Sequence, residues 1–285
     1  MEFKTPEDLN GKKVLIVGLG ITGIKTAKFL IEKKANLTIS EKKTEKELCS
    51  AINSLNSQLF ILEAKGHKTS TFLKNDLIVV SPGIPLNIPP LVSAKKAGIE
   101  ILSEIELAAR FIDTPIIAIT GTNGKTTTAT LINQILLNSG KKTFLGGNIG
   151  NPLITYPASS TRKDYIVLEI SSFQLEGIKT FRPYISVILN ITPDHLDRYP
   201  SFEDYVKAKA NIFMNQKDDD ILILNADDTN AASFIGKTGI HEALFSKKDG
   251  PKIKAFVKND TIFYKKGINN SIKFDLSRFS LPGLH

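Results

Sequence analysis

Lys125 and Thr126 close the run Gly121-Thr122-Asn123-Gly124-Lys125-Thr126-Thr127, which separates the apolar stretch Ile116-Ile117-Ala118-Ile119 from a helical pattern over 129–137. Strand, glycine-rich turn and helix in that order aim backbone N–H groups at an anion, so the spacing points to phosphate chemistry. Lys125 then reaches the terminal phosphates of a nucleoside triphosphate, and the Thr126 hydroxyl serves a magnesium ion. The loop is a shortened variant, because Ile119 stands where full Walker A spacing has its first glycine. An ordinary turn capped by Thr122 or Asn123 is the plain alternative. Gly-Lys-Thr after a buried strand favours the nucleotide.

Further on, Glu169 ends the apolar run 165–168. A buried carboxylate is costly unless it is paired or on a metal, so beside a phosphate loop it reads as a Mg²⁺ ligand, direct or through water. A strand end facing solvent is the competing reading. Asn148, among Gly146, Gly147 and Gly150, offers a donor and an acceptor where backbone lets a ligand approach closely. Asp194, His195, Asp197 and Arg198 crowd just past the strand 185–189. His195 suits a metal ligand or a base, or a satisfied structural histidine. Tyr205 and Lys209 are four apart and share a helix face. Composition alone gives Lys209 no role beyond solvated surface.

A second glycine-rich turn lies near the start. Val14-Leu15-Ile16-Val17 runs into Gly18, Gly20 and Gly23 in G-x-G-x-x-G spacing, followed by a helix over 24–32. The next strand, 37–40, ends at Glu41, where a dinucleotide fold places the acid that holds a ribose hydroxyl. Alone this favours a dinucleotide, yet the same backbone cradles any diphosphate. The strand 76–80 closes in Ser81-Pro82-Gly83-Ile84-Pro85, a stiff loop at the sheet edge where such folds bind ligands, or a plain rigid turn.

Alternating apolar runs and helical patterns make the chain α/β, and its 285 residues imply two domains. The first, 1–103, is a Rossmann-like parallel-sheet domain. The second, 104–285, is a P-loop-type ATPase α/β domain whose last runs (243–245, 253–257, 261–264, 271–276) form an antiparallel flank. Leu131, Ile132, Ile135 and Leu136 are expected on the packed face of the helix after the phosphate loop. A net charge of +8, spread over scattered lysine pairs, reads as solvated surface with some phosphate steering and no nucleic-acid stripe. One cysteine, Cys49, fits a reducing cytoplasm, and no export or spanning segment stands out.

Taken together these stretches resemble the Mur ligase family. Gly121 to Thr126 resembles its shared phosphate loop. The turn 18–23, the stretch 76–84, Leu168-Glu169-Ile170-Ser171-Ser172-Phe173-Gln174-Leu175 and the segment 190–199 resemble its D-glutamate-adding branch. The resemblance implies ATP-driven amide formation on UDP-N-acetylmuramoyl-L-alanine through an acyl phosphate, in peptidoglycan precursor synthesis for cell shape and division. It implies that residues 121–127 bind ATP, with Lys125 on the β/γ-phosphates. Thr126 and Glu169 then hold one Mg²⁺, while His195 and a carbamylated Lys209 hold a second. Ile21, Thr22, Lys42, Lys43 and Gly83 fall where the UDP end binds; Asn148, Gln174 and His195 fall where the muramoyl-alanine end binds. A monomer is expected.

Two departures stand out. Glu41-Lys42-Lys43 replaces the family's Asp-Thr-Arg, and lysine does not replace a planar arginine fork contact for contact. The family also carries a third domain with most of the D-glutamate site, whereas this chain stops at Pro282-Gly283-Leu284-His285. The expectation is therefore two family domains that bind the precursor and do not ligate. A nicotinamide-dependent dehydrogenase would rest on Gly18, Gly20, Gly23 and Glu41 alone, leaving the Lys125 loop unexplained. A non-catalytic binding module, or another ligase of the family such as the L-alanine-adding or folate-glutamylating enzyme, is the nearer rival. Ser171-Ser172-Phe173-Gln174 and Asp194-His195-Leu196-Asp197-Arg198-Tyr199 argue against those other ligases.

Overall fold

The computed structural model describes residues 5–56, 59–159, 161–267 and 270–275. The expectations for Leu276 and for residues 281–285 lie outside them. The first unit runs β1 (Lys13–Val17), α1 (Ile21–Glu32), β2 (Asn36–Ser40), α2 (Glu45–Ser54), β3 (Phe60–Glu63), α3 (Thr69–Phe72), β4 (Leu77–Val80), α4 (Pro89–Lys96) and β5 (Glu100–Ser103). Its five strands lie in the order β3-β2-β1-β4-β5, and every pairing is parallel. Both faces of such a sheet are apolar, which is why Val14, Leu15, Ile16 and Val17 form an unbroken buried run. Strand order reverses between β1 and β4, so the glycine turn after β1 and the proline-rich turn after β4 flank one crevice.

The second unit begins with α5 (Glu104–Ala109) and continues through β6 (Ile116–Thr120), α6 (Lys125–Asn138), β7 (Thr143–Gly147), β8 (Tyr165–Glu169), α7 (Ser172–Leu175), β9 (Ile185–Ile188) and α8 (Phe202–Ala210). After these come β10 (Ile221–Asn225), α9 (Thr229–Ala232), β11 (His241–Ser246), β12 (Ile253–Lys258), β13 (Thr261–Gly267) and β14 (Asn270–Asp275). The sheet order is β14-β13-β12-β11-β10-β9-β6-β8-β7. Here the order reverses between β6 and β9, and the phosphate-loop sequence emerges from β6 at that point.

Three local expectations change. The flank is antiparallel only in its last two strands, because β11 pairs in parallel with both β10 and β12. Only the last three residues of β11 pair with the start of β12, so a short return suffices in place of a full crossover. α6 starts at Lys125, four residues before the apolar pattern, since the threonines of the loop form its first turn. On that helix Ala129, Ile132 and Leu136 pack on the sheet, while Leu131 and Ile135 are 40% and 55% exposed. The exposed stripe at 131 and 135 lies one residue before the packed stripe at 132 and 136.

One apolar core runs from the first sheet through α1, α5 and the 3-10 turn Leu153–Thr155 into the second sheet. Polar bonds reinforce the junction. Glu106, fully buried on α5, accepts the backbone N–H groups of Lys179, Thr180 and Phe181 as well as the Thr180 hydroxyl. Burial raises its pKa, but these donors outweigh that and hold it below the ordinary carboxylate value. Arg110 joins Glu106 to Glu100 of β5 at 3.1 and 2.8 Å. Among the described residues no helix is long and apolar enough to cross a membrane.

Candidate active site

The chemistry gathers at the carboxyl ends of β6, β8 and β9. Leaving β6, the loop turns through Gly124, whose φ of +82° suits a residue without a Cβ, and enters α6 without a side-chain cap. Uncapped first-turn N–H groups of a fourteen-residue helix present an anion site. Earlier in the loop the N–H groups are already committed. Asn190 Oδ1 accepts from Thr122 N (3.1 Å) and Asn123 N (2.9 Å), and its Nδ2 donates to Asn123 O (3.1 Å). The backbone N–H groups left open to an anion are thus those of the loop's last residues, 124–127, while Asn190 fixes 122–123.

Two lysines converge on one carbonyl. Lys125 Nζ donates to Gly121 O at 3.0 Å and to Thr122 O at 2.9 Å; Lys209 Nζ donates to Gly121 O at 2.8 Å. Lys209 sits on α8 with only 2% exposure and lies 4.6 Å from the centre of the Tyr205 ring. Burial, and then the charge of Lys125, push its ammonium down to about 7, against a partial pull from Asp194. Both causes favour the neutral amine over the ammonium at Lys209. Tyr205 completes the cluster: its hydroxyl is 3.2 Å from Thr122 Oγ, and its ring is 6.3 Å from that of His195.

Glu169 ends β8 at 2% exposure. Its Oε2 accepts from Thr126 Oγ at 2.6 Å and its Oε1 from Asn148 Nδ2 at 2.8 Å, so three of the residues singled out in sequence meet here. His195 takes φ +53° at the start of a turn, half-exposed, with its ring 4.8 Å from that of Phe173. Gln174 is buried, and its side-chain oxygen accepts from Ser171 N and Oγ at 3.0 and 3.1 Å as part of the cap of α7. Among the described residues no group of three or more His, Cys, Asp or Glu side chains gathers as a metal cage.

In the first unit Ile21 (73% exposed) and Thr22 open α1, Lys42 and Lys43 follow β2, and Gly83 lies in the turn after β4. Glu41 turns inward. Its carboxylate accepts Leu19 N at 2.8 Å and the N–H groups of Lys42 and Lys43 at 2.7 and 3.3 Å. Burial works to raise its pKa, yet these donors keep it below the usual value. Glu41 thus braces the glycine turn, so the acid expected to hold a ribose has a structural task.

Sequence reasoning passed over a cavity of about 560 Å³ beside the phosphate loop, lined by Gly124, Thr128, Asn190, Asn225, Phe245 and Phe256 among others. Its size suits a small-molecule site. One signal was available: Leu189-Asn190, just past β9, and Leu224-Asn225, at the end of β10, repeat the same pair on adjacent strands.

The profile of the Mur ligase middle domain matches residues 119–284, and that of the Mur ligase MurD-like N-terminal domain matches residues 12–103. The UDP-N-acetylmuramoylalanine–D-glutamate ligase of Geotalea daltonii is 46% identical over 278 residues, covering 98% of this chain and 61% of that protein. The ligase of the same name from Koribacter versatilis is 46% identical, covering 90% of this chain and 57% of that protein. The chain spans about three fifths of the length of these curated relatives. Among solved structures, the UDP-N-acetylmuramate:L-alanyl-gamma-D-glutamyl-meso-diaminopimelate ligase from Neisseria meningitides aligns over 89% of this chain and 83% of its own. Its TM-score of 0.57 at 14% identity shows a common fold.

Proposed function

The chain belongs to the Mur ligase family, and on that premise we propose that it serves ATP-dependent addition of D-glutamate to UDP-N-acetylmuramoyl-L-alanine. The observation that carries this reading is the meeting of Lys125, Lys209, Thr126 and Glu169 around one phosphate loop. The division into units falls at 103/104 in this reading, where Ser103 ends β5 and caps α5. UDP lies along the crevice beside Ile21, Thr22, Lys42, Lys43 and Gly83. The muramoyl-alanine portion crosses to Asn148, Gln174 and His195, and the nucleoside of ATP takes the cavity of about 560 Å³.

The chemistry follows from charge. The alanine carboxylate attacks the γ-phosphorus of ATP and ADP leaves, giving an acyl phosphate. The amine of D-glutamate then attacks the acyl carbon, phosphate departs, and the nitrogen loses a proton. Lys125 and the N–H groups opening α6 hold the phosphate chain in line for the first step. Asn190 keeps the loop in the shape this needs.

The oxygen donors of Thr126 and Glu169 suit Mg²⁺, which favours one or two carboxylates plus substrate phosphates over an all-protein cage. Magnesium there would neutralise charge building on the phosphates. Lys209 as an ammonium suits no cation. As a free amine it could add to CO2, forming an N–C bond and releasing a proton, and the resulting carbamate would offer two hard oxygens. Titration of the chain with a fluorescent ATP analogue tests the site. Binding should require Mg²⁺ and fall about tenfold or more in Lys125→Ala and Glu169→Gln. Under ¹³C-bicarbonate, NMR should show a carbamate resonance that Lys209→Met removes. Magnesium-independent binding, equal in all variants, would defeat the proposal.

A further inference from the structure

We propose that Arg198 is a positioning residue that ties the diphosphate turn of the first unit to His195, so that a ligand reaching from one to the other is held in register; this rests on the UDP-precursor reading above. The link can be followed atom by atom. Ile84 packs over the glycine turn so closely that a Cβ on Gly18 would meet its Cγ1 at 3.2 Å. Ser81 Oγ donates to Gly18 O at 2.9 Å, and Ile84 N closes back on Ser81 O at 3.0 Å, so this turn and the glycine turn form one piece.

On its other side the carbonyl of Ile84 accepts Arg198 Nη2 at 3.4 Å, and the same nitrogen lies 2.9 Å from Glu176 Oε2. The guanidinium also lies 4.5 Å from the centre of the Phe173 ring, which in turn lies 4.8 Å from the imidazole of His195. Through the backbone, Arg198 N donates to His195 O at 3.0 Å, closing the turn in which His195 holds its positive φ. His195 is thus met at its ring by Phe173, against which the guanidinium lies, and held at its carbonyl by the backbone of Arg198. A planar cation that stacks while donating in plane is needed; an ammonium on a flexible stem cannot do both.

Arg198 and Glu176 are only 12% and 18% exposed, so removing the cation alone leaves a mostly buried carboxylate unpaired. The test therefore uses Arg198→Lys and the double variant Arg198→Ala/Glu176→Ala, each titrated calorimetrically with UDP and with UDP-N-acetylmuramoyl-L-alanine. UDP touches the first unit alone and reports a merely structural loss. Affinity for the full precursor should fall about tenfold or more in both variants. Affinity for UDP should stay within about twofold. Equal losses for the two ligands would make Arg198 a simple strut and overturn the inference, as would no loss for either. A folded wild-type chain that binds UDP but never the precursor would overturn the underlying reading, and the inference with it.

Discussion

Glu104 shows how a side chain can be legible as a residue and illegible as a group. It opens α5, where an acid favours the helix dipole, and nothing in the sequence distinguishes it from a surface glutamate. In the fold it is 1% exposed, with Oε1 accepting Ile154 N at 2.6 Å and Oε2 buried without a hydrogen-bond partner among the described residues. Burial, only partly offset by that N–H, raises its pKa to about 7. The unfolded chain therefore ionises first, near the ordinary 4.5, and folded stability falls as pH rises from there to about 7. Glu104→Gln removes that slope. Urea unfolding should show the variant gaining on the wild type by about 2–3 kcal/mol between pH 4.5 and 8. A difference that does not change with pH would refute the assignment. Lys209 carries the same lesson, since only the packing of α8 beneath the phosphate loop turns a helix-surface lysine into a buried amine.

Turns and their strands were more legible than these side chains. Both glycine turns and their flanking elements follow from short-range pattern, because a buried parallel strand is apolar throughout and a phosphate turn needs glycine at fixed offsets. The glycines differ in what surrounds them in the fold. A Cβ at Gly23 would sit 2.1 Å from Gly18 O, whereas one at Gly20 would meet nothing within 4 Å. Gly23→Ala should then force α1 off the turn, costing about 2–3 kcal/mol. Gly20→Ala should keep stability within about 0.5 kcal/mol while weakening UDP, whose phosphates are proposed to approach that backbone. Thermal unfolding and UDP titration of the pair check this, and equal instability would contradict it. The exposed Leu131 and Ile135, and the parallel pairing of β11 with β12, were hidden because the sheet surface chooses among adjacent stripes and partners.

The two sheets share a core and a buried polar junction, which makes the chain one cooperative body in this account. There is no tryptophan, and the six tyrosines all lie between residues 156 and 264, so tyrosine fluorescence reports the second unit alone. Far-UV circular dichroism reports both. The two signals should give coincident urea transitions; separated midpoints would show that the sheets unfold independently. Glu106→Ala, which orphans three backbone N–H groups and half of an Arg110 pair, should lower stability by about 3–5 kcal/mol and move both signals together.

The claim on which the rest depends is that the first unit's crevice and the phosphate-loop site act on one UDP-linked substrate. Calorimetric titration of the 285-residue chain with UDP-N-acetylmuramoyl-L-alanine, with NAD as the parallel ligand, tests it most directly. The account predicts saturable binding of the UDP-precursor at about micromolar affinity and none of NAD. Binding of NAD alone would contradict it, and would return Gly18, Gly20 and Gly23 to a nicotinamide cofactor.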